Sequence, residues 1–254
     1  MTAYYLSFGC KVNQYETNAL RGMLSQEGIQ PVEQPEDADL ILVNSCTVTA
    51  SSDRKVRHAL RSLRSRCPAA KIVLTGCLPQ AHPDAAQLCP EADLITGTKD
   101  RAALIQRIRQ LMESGVPWDG VTPYTPGEGY ELLPPAENAD RTRAFIKIQD
   151  GCNQFCSYCI IPFVRGRVRS RKQEDVLAEV RGLAEKGFQE VVITGIHLSS
   201  YGMDFIGETD GDYLKNGKDL RGTAFERAYL VSLLEEIAKV DGIRRIRLGS
   251  LEPR

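Results

Sequence analysis

Cys152, Cys156 and Cys159 stand close together in Asp150-Gly-Cys-Asn-Gln-Phe-Cys-Ser-Tyr-Cys-Ile-Ile-Pro162. Three cysteines spaced x3 then x2 on one loop can close around a single iron–sulfur cube, because thiolates are the soft ligands that iron in such clusters takes. A cube has four irons, so without a fourth cysteine nearby one iron keeps an open position where a substrate or cofactor can chelate. Two plainer readings compete. The Cys156/Cys159 pair has the spacing of half a zinc site, but zinc wants four N/S ligands and the only later histidine, His197, is distant in sequence. A structural disulfide is disfavoured because nothing in the chain looks secreted.

A second set of thiols is read from the elements that carry them. Ala3–Phe8, Leu40–Asn44, Lys71–Thr75 and Asp93–Thr96 are short apolar runs, alternating with helical stretches at Tyr15–Glu27, through Arg66, around Pro83–Leu88, and at Lys99–Glu113. Continuous apolar strands with intervening helices predict a doubly wound parallel sheet with right-handed crossovers. Cys10, Cys46 and Cys77 each fall just past the carboxyl end of one of these strands, at the edge where ligands bind in open parallel sheets. Each alone reads as a small buried hydrophobe. Their shared placement points instead to a second three-thiolate cluster with an open iron. Cys67 and Cys89 both precede a proline at the opposite edge and read as ordinary thiols, while His58 and His82 read as solvated or capping residues.

Residues 114–140 are rich in Pro, Gly and Glu and read as a linker between a first domain, 1–113, and a second, 141–254. Arg143–Gln149 is expected to be a strand that delivers the cysteine loop at its carboxyl end. Gln173–Lys186 is an amphipathic helix stopped by Gly187, and Glu190–Thr194 the next strand, one β-α-β unit of a parallel barrel. Gly195 follows that strand, and a third strand, Arg245–Gly249, brings Ser250 and Glu252 to the same edge. An ordinary turn would look much the same there. Arg165, Arg167, Arg169 and Arg171 alternate, so an extended backbone would place them on one face, either as an anion-binding surface or simply in solvent. The run Arg54, Lys55, Arg57, Arg61, Arg64, Arg66 reads likewise as a solvated helix face or a phosphate-tracking surface.

Composition sets the outer bounds. The 254 residues suffice for two cored domains, and 42% hydrophobic with 26% charged residues describes an ordinary globular chain. The N-terminus lacks a basic region and no apolar run reaches membrane-spanning length, so a cytoplasmic protein with no membrane contact is expected. Eight cysteines in a reducing compartment then argue for metal chemistry. A net charge of −1 exerts no global pull on nucleic acid, which leaves local patches.

Gly9-Cys-Lys-Val-Asn-Gln-Tyr-Glu16, Val43-Asn-Ser-Cys-Thr47, Thr75-Gly-Cys77, Lys147-Ile-Gln-Asp-Gly-Cys-Asn153 and Ile161-Pro-Phe-Val-Arg-Gly-Arg-Val-Arg-Ser-Arg171 together resemble the methylthiotransferases, a radical S-adenosylmethionine (SAM) family. Lys11-Val-Asn-Gln-Tyr and Thr194-Gly-Ile-His-Leu-Ser-Ser-Tyr-Gly202 are most similar to the MtaB branch. The resemblance implies an α/β chain: a doubly wound N-terminal domain, then a radical SAM partial β/α barrel. It implies two [4Fe–4S] clusters. Cys152, Cys156 and Cys159 would hold the one that delivers an electron to SAM, and Cys10, Cys46 and Cys77 an auxiliary one carrying the sulfur. Tyr158 would pack on the SAM adenine, Gly195 would admit its amino group, and Ser250 and Glu252 would reach its ribose or carboxylate. The implied reaction is methylthiolation of C2 of N6-threonylcarbamoyladenosine at position 37, in the anticodon stem-loop of tRNA, with flavodoxin or ferredoxin as reductant. Sister branches act on isopentenyladenosine in tRNA or on a ribosomal-protein Asp. Only three barrel strands precede Arg254, whereas family members continue to an RNA-binding β-domain, so a truncated barrel is expected. From other classes, a two-cluster electron carrier is opposed by three rather than four cysteines per set, and a zinc-stabilised RNA-binding module by the missing fourth ligand.

Overall fold

A computed structural model describes residues 1–125, 127–135, 143–205, 224–249 and 251, without the side chains of 224–228. The chain divides into two compact units, one of Met1–Pro123 with Leu133–Glu137, the other of Tyr124–Leu132 with Asn138–Arg254.

In the first unit the elements run β1 (Thr2–Ser7), α1 (Lys11–Gln26), β2 (Gln30–Pro31), β3 (Leu40–Ser45), α2 (Ala50–Arg66), β4 (Lys71–Gly76), α3 (Cys77–Ala81), α4 (Ala85–Leu88), β5 (Leu94–Ile95), α5 (Arg101–Ser114) and β6 (Trp118–Asp119). Its six-stranded sheet has the order β2-β1-β3-β4-β5-β6, with every pairing parallel. All of β3 is buried, since both faces are covered, and this is why its sequence is an unbroken apolar run rather than an alternation. Successive side chains still alternate. Ile41 and Val43 pack with Val56, Leu60 and Leu63 of α2, while Leu40 and Leu42 pack with Leu20 and Leu24 of α1 and Leu104 and Ile108 of α5. The sheet is therefore doubly wound, as expected. Thr49 caps α2, accepting from the Ser52 amide at 3.1 Å.

The second unit runs β7 (Ala144–Lys147), β8 (Gln149–Asp150), α6 (Ile161–Val164), β9 (Arg169–Ser170), α7 (Gln173–Glu185), β10 (Glu190–Thr194), α8 (Ala224–Ala238) and β11 (Arg245–Leu248). A three-stranded parallel sheet, β11-β10-β7, carries α7 and α8 on one side. Ala144, Ile146 and Ile148 pack there against Val176, Val180 and Leu183 of α7 and Leu233 and Ile237 of α8. The strand expected over 143–149 is split. The parallel register ends at Lys147, with the Ile148 amide still donating to the Thr194 carbonyl of β10 at 2.9 Å, and Gln149–Asp150 pair antiparallel with Arg169–Ser170. This pairing brings Arg169 of the returning segment to 3.7 Å from Asp150.

The stretch over 114–140 contributes to both units. Leu133 is buried against Tyr15 and Ala19 in the first. In the second, the Tyr130 hydroxyl donates to the Lys147 carbonyl at 2.8 Å and the Arg169 guanidinium lies 4.5 Å over the Tyr124 ring.

Candidate functional site

Parallel pairing brings the carboxyl ends of β1, β3 and β4 to one edge. The winding direction of the sheet reverses between β1 and β3, and the crevice at such a reversal is where open α/β sheets bind ligands. Cys46 and Cys77 immediately follow the last paired residues, Ser45 and Gly76. Gly9 backs directly onto Cys46: a Cβ placed there would sit 2.7 Å from the Cys46 Cβ and 2.9 Å from its Sγ. Gly76 has φ +100° and would set a Cβ 2.5 Å from Asn44 Oδ1, so only glycine lets the end of β4 close on the end of β3. All three predicted cysteines thus follow strand ends at the same edge of the sheet, Cys46 and Cys77 buried and Cys10 exposed. The Asn44 Oδ1 atom beside them is buried without a hydrogen-bond partner.

Cys67 and Cys89 lie elsewhere, inside the apolar core beneath α2. Burial raises both thiol pKa values, that of Cys89 from 9.0 to about 11, which keeps them protonated and inert.

In the second unit the cysteine loop begins where β8 ends. Gly151 (φ +72°) turns the chain there, with its Cα so close to the Arg167 carbonyl that a Cβ would fall 1.9 Å from the oxygen. Cys152 is buried, Cys159 half-buried and Cys156 exposed. Tyr158 is 90% exposed and projects from the loop. Gly195 follows β10 and packs against Gln149, whose carbonyl and side chain would lie 2.9–3.1 Å from an added Cβ. Gln149 also accepts from the His197 amide at 2.7 Å and donates to the Gly151 carbonyl at 2.7 Å, tying the Gly195 turn to the root of the cysteine loop. His197 is a buried, hydrogen-bonded histidine, with Nδ1 2.7 Å from Ser200 Oγ. Ser250 and Glu252 lie outside the described residues.

The alternating arginines depart from both expectations. Arg165 and Arg169 converge with Lys147 on one carboxylate: Asp150 Oδ2 is 2.6 Å from Lys147 Nζ, 3.4 Å from Arg165 Nη1 and 3.7 Å from Arg169 Nη2. Arg171 pairs with Glu179 of α7. These three are buried, because each finds a carboxylate inside the fold. Only Arg167 is half-exposed, its guanidinium 4.2 Å over the Phe155 ring, which meets Phe163 edge-on. On α2, Arg61, Arg64 and Arg66 pair with Glu91, Asp93 and Glu36. Arg54, Lys55 and His58 instead line, with Phe8 and Ser51, a depression of about 420 Å³ at the thiol-bearing edge. His82 sits 3.4 Å from Asp53.

Several residues that build the site were quoted in motifs without a role. Asn13, Ser45 and Asp150 are polar and adjacent to the cysteines, which is the signal that could have marked them. The fully buried Glu16–Arg101 pair, at 3.0 Å, has no local signal, since its members are 85 residues apart.

Soft sulfur ligands beyond the ends of neighbouring strands, a buried side-chain carbonyl oxygen without a hydrogen-bond partner beside them and a glycine cradle next to the second set suit iron–sulfur and SAM chemistry. Among the described residues no three His, Cys, Asp or Glu side chains stand as a ready-made metal cage. The backbone sets the three cysteines at one sheet edge, while the Cys10 Sγ is turned onto Asn13 Oδ1 at 3.8 Å. Among these residues no helix is long and apolar enough to cross a membrane.

Comparison with known proteins agrees with this chemistry. Residues 2–97 match the family described as Uncharacterized protein family UPF0004, and residues 146–250 the Radical SAM superfamily. The chain is 37% identical over 251 residues to the threonylcarbamoyladenosine tRNA methylthiotransferase MtaB of Bacillus subtilis (strain 168), covering 99% of this chain and 51% of the relative. It is 36% identical over 255 residues to the tRNA-2-methylthio-N(6)-dimethylallyladenosine synthase of Pelotomaculum thermopropionicum, covering 97% and 52%. The chain spans about half the length of the curated relatives it matches. Among solved structures it is similar to the radical S-adenosylmethionine methyltransferase TsrM from Kitasatospora setae, determined with cobalamin and a [4Fe-4S] cluster bound. The TM-score is 0.56 at 14% identity over 100% of this chain and 61% of that one, a likeness of fold. A UPF0004 segment is followed by a radical SAM segment, in a chain that aligns almost end to end with tRNA methylthiotransferases over about half of their length.

Proposed function

We propose that the protein installs a methylthio group at C2 of N6-threonylcarbamoyladenosine, at position 37 in the anticodon stem-loop of tRNA. The observation that carries this reading is the presence of two separate three-cysteine sets, one beyond the carboxyl ends of the parallel strands β1, β3 and β4 and the other on the loop that follows β8. The match of residues 146–250 to the Radical SAM superfamily implies one [4Fe–4S] cluster and SAM. Cys152, Cys156 and Cys159 would hold that cluster, with Tyr158 and Gly195 contributing to the SAM site. Ser250 and Glu252 are proposed to complete the SAM site. Bound there, cluster and SAM supply the one-electron chemistry needed to break an unactivated C–H bond.

The second cluster, held by Cys10, Cys46 and Cys77 of a domain spanning 1–113, would carry the sulfur. Residues 141–254 would form the radical SAM domain, with 114–140 between the two. Gln149 orients the Gly195 turn, Gly151 sets the direction of the cysteine loop, and Asp150 neutralises the cations packed beneath it. Arg54, Lys55 and His58 offer RNA phosphates a basic edge beside the first thiol set. Electrons would come from an external flavodoxin or ferredoxin, in the cytoplasm.

Deleting the gene and measuring tRNA nucleosides by mass spectrometry tests the substrate. Loss of the methylthio group from threonylcarbamoyladenosine is expected. The comparable likeness to a dimethylallyladenosine synthase supplies the second reading, and loss from isopentenyladenosine instead would establish it.

A further inference from the structure

We propose that Asn13 and Ser45 are the positioning residues of the Cys10–Cys46–Cys77 site, two clamps that each join a pair of the strand ends on which the thiols stand. The inference rests on reading those thiols as one site. Strand pairing by itself does not hold them, since the ladders stop at Ser7↔Asn44 and Ser45↔Gly76 and every cysteine lies beyond. Something past the ladder must fix their spacing.

Asn13, in the first turn of α1, is 1% exposed. Its Nδ2 donates to the Phe8 carbonyl at 2.9 Å and to the Ser45 carbonyl at 2.8 Å. The first carbonyl leads into Gly9-Cys10 and the second belongs to the peptide bond entering Cys46, so one amide group spans both approaches. Both contacts are donations to main-chain oxygens. An Asp here would oppose them with lone pairs, and an Ala would leave two buried carbonyls unmet.

Ser45 makes the second clamp. Its hydroxyl donates to the Thr75 carbonyl at 2.7 Å and accepts from the Leu78 amide at 3.1 Å, bracketing Cys77 from both sides. Ser45 thus takes part in both clamps, through its carbonyl in one and its hydroxyl in the other. Asn44 locks the first in place, its Nδ2 donating to the Asn13 carbonyl at 3.0 Å and to Thr17 Oγ1 at 3.1 Å. Partners that orient metal ligands in this way typically change metal affinity by about 10–100-fold when removed.

The test uses the full chain carrying Cys152→Ala, Cys156→Ala and Cys159→Ala, so that bound iron reports only the first set. Asn13→Ala, Asn13→Asp and Ser45→Ala are expected to lower iron affinity on anaerobic reconstitution by about 10–100-fold and to alter the electron paramagnetic resonance signal. Ser45→Thr, which keeps the hydroxyl, should retain both. Ile108→Ala, a core change on α5, controls for lost stability and should leave the signal shape unchanged. A second readout needs no iron: capture of thiol pairs by phenylarsine oxide. With Cys77→Ala added, Asn13→Ala should abolish capture by Cys10 and Cys46; with Cys10→Ala added, Ser45→Ala should abolish capture by Cys46 and Cys77. Undiminished capture in those variants overturns the clamps, whatever the iron shows. Capture that depends on Asn13 and Ser45, in a parent chain that takes up no iron, upholds the clamps and overturns the cluster reading alone.

Discussion

Replacing Arg101 with Met probes how the third thiol-bearing strand end is held. Arg101 and Glu16 are each 1% exposed and meet at 3.0 Å. Arg101 Nη1 also donates to Thr75 Oγ1 at 2.6 Å and to the Gly97 carbonyl at 3.2 Å, and Thr75 precedes Gly76-Cys77. Arg101→Met leaves the Glu16 carboxylate in a dry interior without its guanidinium partner, a loss worth about 3–5 kcal/mol. Against a typical domain stability of about 5–15 kcal/mol, that is a large share. With a urea slope of about 1–3 kcal/mol/M, the unfolding midpoint should fall by roughly 2 M. The chain has a single tryptophan, Trp118 on β6, with the Arg107 guanidinium 3.7 Å from its ring, so its fluorescence reports the first unit alone. Adding Glu16→Leu should restore most of the loss, because an apolar pair has no desolvation penalty to offset. A single variant that costs less than about 1 kcal/mol, or a double variant as unstable as the single, would refute a buried, mutually dependent pair.

Three further outcomes are expected. Gly151→Ala, whose Cβ would fall 1.9 Å from the Arg167 carbonyl, should abolish iron binding by the Cys152 loop; the measurement is iron content in a chain carrying Cys10→Ala, Cys46→Ala and Cys77→Ala. Asp150→Asn surrounds a neutral amide with Lys147, Arg165 and Arg169 and should cost about 3–5 kcal/mol, read as a lowered thermal midpoint that Arg165→Met partly restores. Cys89, with its folded pKa raised by burial from 9.0 to about 11, stays protonated where the unfolded chain ionises. Its contribution to stability is complete below about pH 9 and lost as pH rises through about 11, and at about pH 8 its thiolate fraction in the native protein should be about 100-fold below that in urea, checked by alkylation rates.

The parallel sheet, the β-α-β unit and the placement of all six candidate thiols were legible because each depends on local pattern: apolar runs, helical periodicity and spacing on one loop. The four alternating arginines show where such reading stops. A two-residue period says that side chains share a face only if the strand is continuous, and here Arg165 ends a short helix while Arg169 begins a new pairing. Whether a charged residue is solvated or buried depends on a counter-charge, and Glu179 and Asp150 became partners only after the chain had turned back.

By itself, the sequence determined which atoms are available for chemistry and which strand ends deliver them, since cysteine spacing and apolar runs are short-range properties. Tertiary structure alone decided what holds those atoms in register. Asn13 meets Ser45 across 32 positions, Ser45 meets Thr75 across 30, and Glu16 meets Arg101 across 85. A buried donor takes whichever acceptor packing brings within about 3 Å, and no periodicity in the chain encodes that partner.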